Sequence, residues 1–310
     1  MKVAIIGAGN VGATLAYTLL LHDAASRVSL IDVNHEKAVG EASDLAHGAS
    51  YLDNVEIRAE GYEGVADADV IAITAGRGRK AGESRIDLAR GNAAILEQIL
   101  AGITPHYHGA VVIVVSNPMD VLTYVTVKRL PAPPNRIIGS GTSLDSSRFR
   151  FLLGQEFAID PRNIHAYIIG EHGDSSVPVW SMASLGQIPI TRYAPPGRDP
   201  LSQADRERIR QAVVTAGKEV IQRKGATFYA VALSVARIIE AVLDDEKSVL
   251  TVSSYIEQFE GISDVCLSLP AVVAREGIRE LLPIALDETE RGQLAASAAG
   301  LKDVIRQLGY

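Results

Sequence analysis

The tightest constraint on this chain lies at its start. Val3–Ile6 is a short unbroken apolar run, and Gly7-Ala8-Gly9-Asn10-Val11-Gly12 follows it directly. An apolar run of that length fits a parallel strand covered on both faces. Each glycine answers a different demand. The first makes a tight turn, the second lets the backbone approach a pyrophosphate, and the third lets a helix pack on the strand. The helix opening here, over Val11–Leu21, offers free N–H groups and partial positive charge to phosphate. Asp32 ends the next apolar run, Val28–Ile31, 20 residues beyond Gly12. An acid there accepts bonds from ribose hydroxyls and repels a 2′-phosphate, which favours NAD over NADP. Taken without the strand, helix and acid, the same glycines fit a turn in a sheet that binds nothing. No arginine stands near Asp32, and Lys37, the nearest cation, caps or borders the site.

The pattern then repeats. Val70–Thr74 and Ala110–Val115 read as further buried strands, with helical stretches at Glu36–His47 and Asp87–Leu100 between them. Strands alternating with helices argue for an open parallel sheet with right-handed crossovers. Pro131-Ala132-Pro133-Pro134 breaks the series, Ile137-Ile138 adds one more strand, and Gly139-Ser140-Gly141 forms a joint. The expected fold is therefore α/β: a Rossmann-type doubly wound parallel sheet in residues 1–140, then a mixed α+β substrate domain in 141–310. The second part is expected to hold a helix from about Asp145, strands near His165–Ile169, and a long helix from Leu201 to Lys224. It should end in an amphipathic helix with Leu294, Ala298, Leu301, Ile305 and Leu308 on one face, started by Asp287 and Glu290 as a capping pair.

Composition narrows the class. A chain of 310 residues exceeds what one core usually organises, which favours two domains. The net charge of −7 argues against nucleic-acid or membrane-surface partners. No apolar run approaches the roughly 18 residues that span a bilayer. The apolar N-terminal stretch loosely resembles a secretion leader, but its glycines are better explained by strand, turn and helix. One cysteine, Cys266, allows no internal disulfide, in keeping with a cytoplasmic location. The histidines, His106 and His108 included, show no metal-ligand spacing with cysteines or acids.

Reducing a carbonyl by hydride transfer needs a proton donor, a group that polarises the carbonyl, and an anchor for the substrate. His172 lies between glycines in Gly170-Glu171-His172-Gly173-Asp174, just past an expected strand. Histidine titrates near neutrality and can pass a proton either way, although a lone loop histidine is more often simply exposed. Asp145 and Arg148 share a helix face. Spacing alone fits a surface ion pair. It also fits a carboxylate that orients an imidazole beside a guanidinium that grips a substrate carboxylate.

The ordered motifs together favour the catalytic reading. Gly7–Gly12, Thr74-Ala75-Gly76, Gly82-Glu83-Ser84-Arg85, Ser116-Asn117-Pro118, Leu144-Asp145-Ser146-Ser147-Arg148, Gly170–Asp174 and Lys224-Gly225-Ala226-Thr227 run over essentially the whole chain. In this order they resemble the L-lactate/L-malate dehydrogenase family. The resemblance implies His172 as proton donor and acceptor, paired with Asp145. It implies Arg148 on the substrate's 1-carboxylate and Arg85 as the carbonyl-polarising group on a loop from Arg77 that closes over the site. Asn117, in a typically cis peptide bond with Pro118, is implied at the substrate oxygen or nicotinamide, and Thr227 in the substrate pocket. The implied cofactor set is Gly7, Gly9, Val11, Gly12, Asp32, Lys37, Tyr62, Gly76, Ser116 and Asn117, with NAD as cofactor and no metal.

The same resemblance bears on which 2-hydroxy acid is used. Lactate enzymes resemble Ala-Gly-x-x-Gln-Lys-Pro-Gly-Glu-Thr-Arg and malate enzymes Ala-Gly-x-x-Arg-Lys-Pro-Gly-Met-Ser-Arg. This chain reads Ala75-Gly76-Arg77-Gly78-Arg79-Lys80-Ala81-Gly82-Glu83-Ser84-Arg85. Arg79 is malate-like. Glu83, Glu171 and Thr227 are lactate-like, and Ala81 replaces a proline, which loosens the loop. An arginine closed over a methyl group is a buried charge without a partner. Facing a second carboxylate it makes bonds worth roughly 1.5–3 kcal/mol each. That favours malate and oxaloacetate, with lactate and pyruvate as the alternative should Glu83, four residues on, neutralise Arg79. A solvated basic loop that only attracts anions is the plain alternative.

Arg150, about 200° round the helix from Arg148, points away from the substrate. In lactate enzymes activated by fructose 1,6-bisphosphate, arginine and histidine at the positions of Arg150 and His165 line a phosphate site between subunits. Simple pairing with acids across that interface is the alternative. The resemblance further implies a homo-oligomer, a tetramer built from dimers, acting on a small 2-oxo or 2-hydroxy acid. A catalytically silent NAD-binding sensor and an NADP-linked enzyme are the competing classes; His172, Arg148 and Arg85 oppose the first and Asp32 the second.

Overall fold

A computed structural model describes residues 1–51, 55–78 and 82–310. Six parallel strands form the first part of one sheet: β1 (Lys2–Ile6), β2 (Arg27–Ile31), β3 (Glu56–Ala59), β4 (Val70–Ile73), β5 (Val111–Val114) and β6 (Ile137–Gly139). Their spatial order is β3-β2-β1-β4-β5-β6. In register, Val3 lies opposite Val28 on one side and Val70 on the other. The sheet is covered on both faces, which is why β1 reads as an unbroken apolar run. Val3 and Ile5 pack with α1 (Asn10–Leu21) and α2 (His35–His47). Ala4 and Ile6 pack with α3 (Arg85–Ile103) and α4 (Met119–Arg129) on the opposite face.

The expected joint at 140/141 falls between β6 and α5 (Ser143–Phe157), and the sheet runs across it. β12 (Ser248–Ile256) pairs antiparallel with β6 through Ser253 and Gly139. β13 (Val265–Ala274) and β14 (Gly277–Leu281) continue outward, giving nine strands. The sheet is thus parallel in its first six strands and mixed as a whole. α7 (Tyr229–Leu243) also returns to the first half, where Val235 and Ile239 join the core beneath α1. α7 and β12–β14, from the second half of the chain, thus complete the core of the first.

The strands expected near His165–Ile169 are two short ones in different sheets: β7 (Ile164–His165) and β8 (Ile168–Ile169). β7 pairs with β10 (Ser184–Leu185), which pairs in turn with β11 (Ile188–Pro189); β8 pairs with β9 (Val177–Pro178). α6 (Gln203–Lys224) packs through Ile209 and Val213 on Phe149 and Leu153 of α5. α8 (Glu288–Leu308) begins with the expected capping box of Asp287 and Glu290. No helix among the described residues is long and apolar enough to cross a membrane.

Candidate active site

The glycine turn is built as its sequence demands. Gly7 has φ +110°, and a Cβ there would lie 2.5 Å from the Ala75 nitrogen. A Cβ on Gly12 would fall 1.8 Å from the Gly7 carbonyl oxygen, so only glycine lets α1 start this close to β1. A Cβ on Gly9 would meet nothing, which leaves its face open to a ligand. Asp32 has a second duty that the spacing did not reveal. Its carboxylate accepts the Ala8 N–H at 2.7 Å and the Asn34 N–H at 2.9 Å, tying the end of β2 to the glycine turn. A carboxylate has about four acceptor positions, so it can still receive ribose hydroxyls.

These groups border a cavity of about 560 Å³ whose walls include Gly7, Gly9, Asp32, Tyr62, Gly76 and Arg77. Burial, then the nearby Asp32 charge, push the Tyr62 phenol above its usual range. The open backbone at Gly9, the positive end of α1 and the acid at Asp32 fit a dinucleotide. Other expected cofactor residues stand behind or beside this wall. Val11 packs into the core, and the Ser116 hydroxyl donates to the Ala75 carbonyl at 2.5 Å. Lys37 uses its backbone N–H to cap α2 on Asn34, and its side chain is exposed; His35 borders the cavity instead.

The second cluster is assembled from distant segments. Just past β8, Gly170 is bridged in both directions to Ser268 of β13, and the chain then turns to present His172. The ring Nδ1 lies 2.5 Å from Asp145 Oδ2. Asp145 is 5% exposed and also accepts from Arg148 at 2.9 Å. Burial alone would raise its pKa, but His172 and Arg148 together hold it below the usual carboxylate range. An ionised carboxylate can only accept, so Nδ1 donates and Nε2 is left for a substrate. The Asp145 charge, working against burial, pushes the His172 pKa up to about 9. The helix ion pair and the imidazole partner, two readings of the Asp145–Arg148 spacing, are one arrangement.

Arg85 begins α3 and pairs with Asp174 in the histidine's own loop; both side chains are largely exposed. Thr227 is half-buried in the turn between α6 and α7. Asn117 precedes Pro118 through a cis peptide bond. Arg79, with Lys80 and Ala81, lies outside the described residues. Glu83 forms a two-pronged pair with Arg77, one bond being 2.7 Å. Arg150 is half-buried and makes no ion pair among the described residues, and burial lowers its pKa. His165 is exposed on β7.

Two residues escaped the sequence reading. Asn92 of α3 is 2% exposed. It accepts from the Arg77 N–H at 3.0 Å and donates to the carbonyls of Arg77 at 3.1 Å and Asn117 at 2.6 Å. Asp120, three residues past Asn117, accepts the His172 backbone N–H at 2.7 Å. Its signal was a carboxyl in an otherwise apolar first turn of α4.

Comparison with known proteins agrees with this anatomy. Residues 1–139 match the lactate/malate dehydrogenase NAD-binding domain, and residues 142–309 its alpha/beta C-terminal domain. The chain is 46% identical to an L-lactate dehydrogenase of Acetivibrio thermocellus, over 99% of this chain and 97% of that one. It is 47% identical to an L-lactate dehydrogenase of Thermoanaerobacter sp., over 99% of both. The solved structure of the minor L-lactate dehydrogenase from Enterococcus mundtii superposes with a TM-score of 0.95 at 38% identity, covering 99% of this chain and 98% of that one. The chain belongs to the lactate/malate dehydrogenase family, NAD-dependent oxidoreductases whose NAD-binding and alpha/beta C-terminal domains it carries in order.

Proposed function

We propose that this protein interconverts pyruvate and L-lactate, with His172 as the group that gives and takes the proton. The observation that carries the chemistry is the His172–Asp145–Arg148 cluster, which sets a charged imidazole beside a guanidinium. The choice of pyruvate is supported by relatives named L-lactate dehydrogenase at 44–47% identity along 98–99% of the chain. Glu83, Glu171 and Thr227 point the same way. This departs from the malate preference that Arg79 suggests, and the relatives outweigh one position.

When bound, NADH supplies the hydride. Arg148 binds the substrate carboxylate in the manner of a forked pair, and Asp145 orients the ring so that Nε2 meets the developing alkoxide. With its pKa near 9, His172 is protonated at neutral pH and ready for reduction. Arg85 leaves Asp174 for the substrate carbonyl. Domain-wise, residues 1–140 hold the cofactor and 141–310 the substrate.

The test is NADH oxidation with pyruvate and oxaloacetate side by side. We expect kcat/KM for pyruvate to be at least tenfold higher. The reverse ratio restores the second reading, in which Arg79 reads a second carboxylate; Arg79→Gln then reverses the preference. Arg150, a half-buried cation without a carboxylate partner among the described residues, supports a phosphate site with His165 between subunits of a tetramer. Titration with fructose 1,6-bisphosphate should release heat and lower KM; if neither occurs, the site is refuted. Sedimentation tests the tetramer, and cell fractionation the cytoplasmic location.

A further inference from the structure

His172 is held from two sides: Asp145 takes its ring, and Asp120 takes its backbone N–H at 2.7 Å. Asp120 is 2% exposed, and its Oδ1 has no hydrogen-bond partner among the described residues. The fully buried Ser253 hydroxyl on β12 likewise lacks one; it stands close enough to favour the ionised carboxyl without aligning as a hydrogen bond. A backbone anchor needs only an acceptor, which an amide supplies. Burying a carboxyl with an orphan oxygen is costly. Its place behind the acid–base histidine therefore calls for a part that an amide does not play.

We propose that Asp120 is a positioning residue for His172 that fixes the histidine's backbone through Oδ2 and, when ionised, supports the charged imidazole alongside Asp145. The proposal rests on the reading of His172 as proton donor. The titratable groups facing Asp120 are His172 and Glu171 from the loop after β8, and Cys266 from β13. Burial pushes the Asp120 pKa up to about 7; Ser253 and His172 oppose this and Glu171 adds to it. Cys266 is held well above its usual range, by burial first, and stays neutral. Asp120 thus changes charge near neutrality, and its ionised form adds to the Asp145 effect on His172. Removing that charge must lower the His172 pKa.

The experiment is the pH dependence of kcat/KM for reduction, using whichever of pyruvate and oxaloacetate the wild type reduces faster. Rate falls as His172 loses its proton. In Asp120→Asn the falling limb should move to lower pH by on the order of one unit. A purely structural role lowers the rate by one factor at every pH and leaves the limb in place, and that result overturns the proposal. Asp120→Ser, which keeps a hydroxyl oxygen as acceptor and also removes the charge, should move the limb the same way. If Asp120→Asn does not fold, an unmoved limb in Asp120→Ser overturns the proposal instead. His172→Asn separates this from the underlying reading. A limb surviving there belongs to another group, and it is then the proton-donor role of His172 that fails.

Discussion

The cofactor cavity and the histidine cluster are made in different ways. The first is organised by a glycine turn, a helix end and one acid, all within the first 32 residues, with Tyr62, Gly76 and Arg77 completing its walls. The second is mostly side chains: Asp120, Asp145 and His172 come from α4, α5 and the turn after β8. Backbone geometry is written in adjacent residues, so a wrong residue there is a steric failure. A side-chain cluster depends on topology, so a wrong residue there is a failure of charge or tautomer. The two regions should therefore break in separable ways.

The largest separation is expected from His172→Asn. Losing a general acid costs typically 10²–10⁴-fold in rate, while nothing at Gly7–Asp32 is touched. We expect kcat to fall by that order and the NADH Kd, read by fluorescence titration, to stay within about twofold of wild type. A parallel rise in Kd sinks the separation. The converse is Gly7→Ala, which sets a Cβ 2.5 Å from backbone at a φ of +110°. Such strain costs on the order of 1–3 kcal/mol. We expect NADH affinity to fall about tenfold or more, with the pH limb unmoved.

Asp145→Asn sharpens the comparison on its electrostatic side. The Asp145 charge is the leading cause of the raised His172 pKa, and burial opposes it. Without that charge burial dominates, and the pKa falls from about 9 to or below its ordinary value. Reduction should therefore lose rate at lower pH than in wild type, and oxidation of the hydroxy acid should begin at lower pH. A limb still near 9 in this variant means that Asp145 does not govern the histidine.

The same contrast explains what was legible beforehand. The strands β1, β2, β4 and β5 announced themselves as apolar runs, because each is covered on both faces. The glycine turn, Asp32 and the α8 capping box are local chemistry and were read at their correct positions. β13 was not read, although all ten of its residues are buried. Its Pro270 suggests a break, yet it sits opposite Thr251 within the strand. α4 was not read although Pro118 and Pro131 bracket it, and α7, with little local punctuation, is settled by its seat against α1. Asp120 and Asn92 were illegible for the cluster's own reason. Their partners, His172, Arg77 and Asn117, are 15–52 residues away along the chain.

Arg77 belongs to both regions and gives the smallest expected effect. Its side chain borders the cofactor cavity and forks onto Glu83 at the root of the substrate loop. Its peptide is gripped by Asn92, which also holds the Asn117 carbonyl. The guanidinium lies against Gly91, where a Cβ would come within 2.5 Å. Its side chain remains 31% exposed, so solvent weakens the pair. Arg77→Gln should therefore raise the KM for the oxo acid and the Kd for NADH together, each by less than about tenfold, with kcat changed less. Asn92→Ala, by removing the buried grip itself, should exceed it on both. If Arg77→Gln moves only one of the two constants, the regions are independent at this seam, and Arg77 belongs to the region whose constant moved.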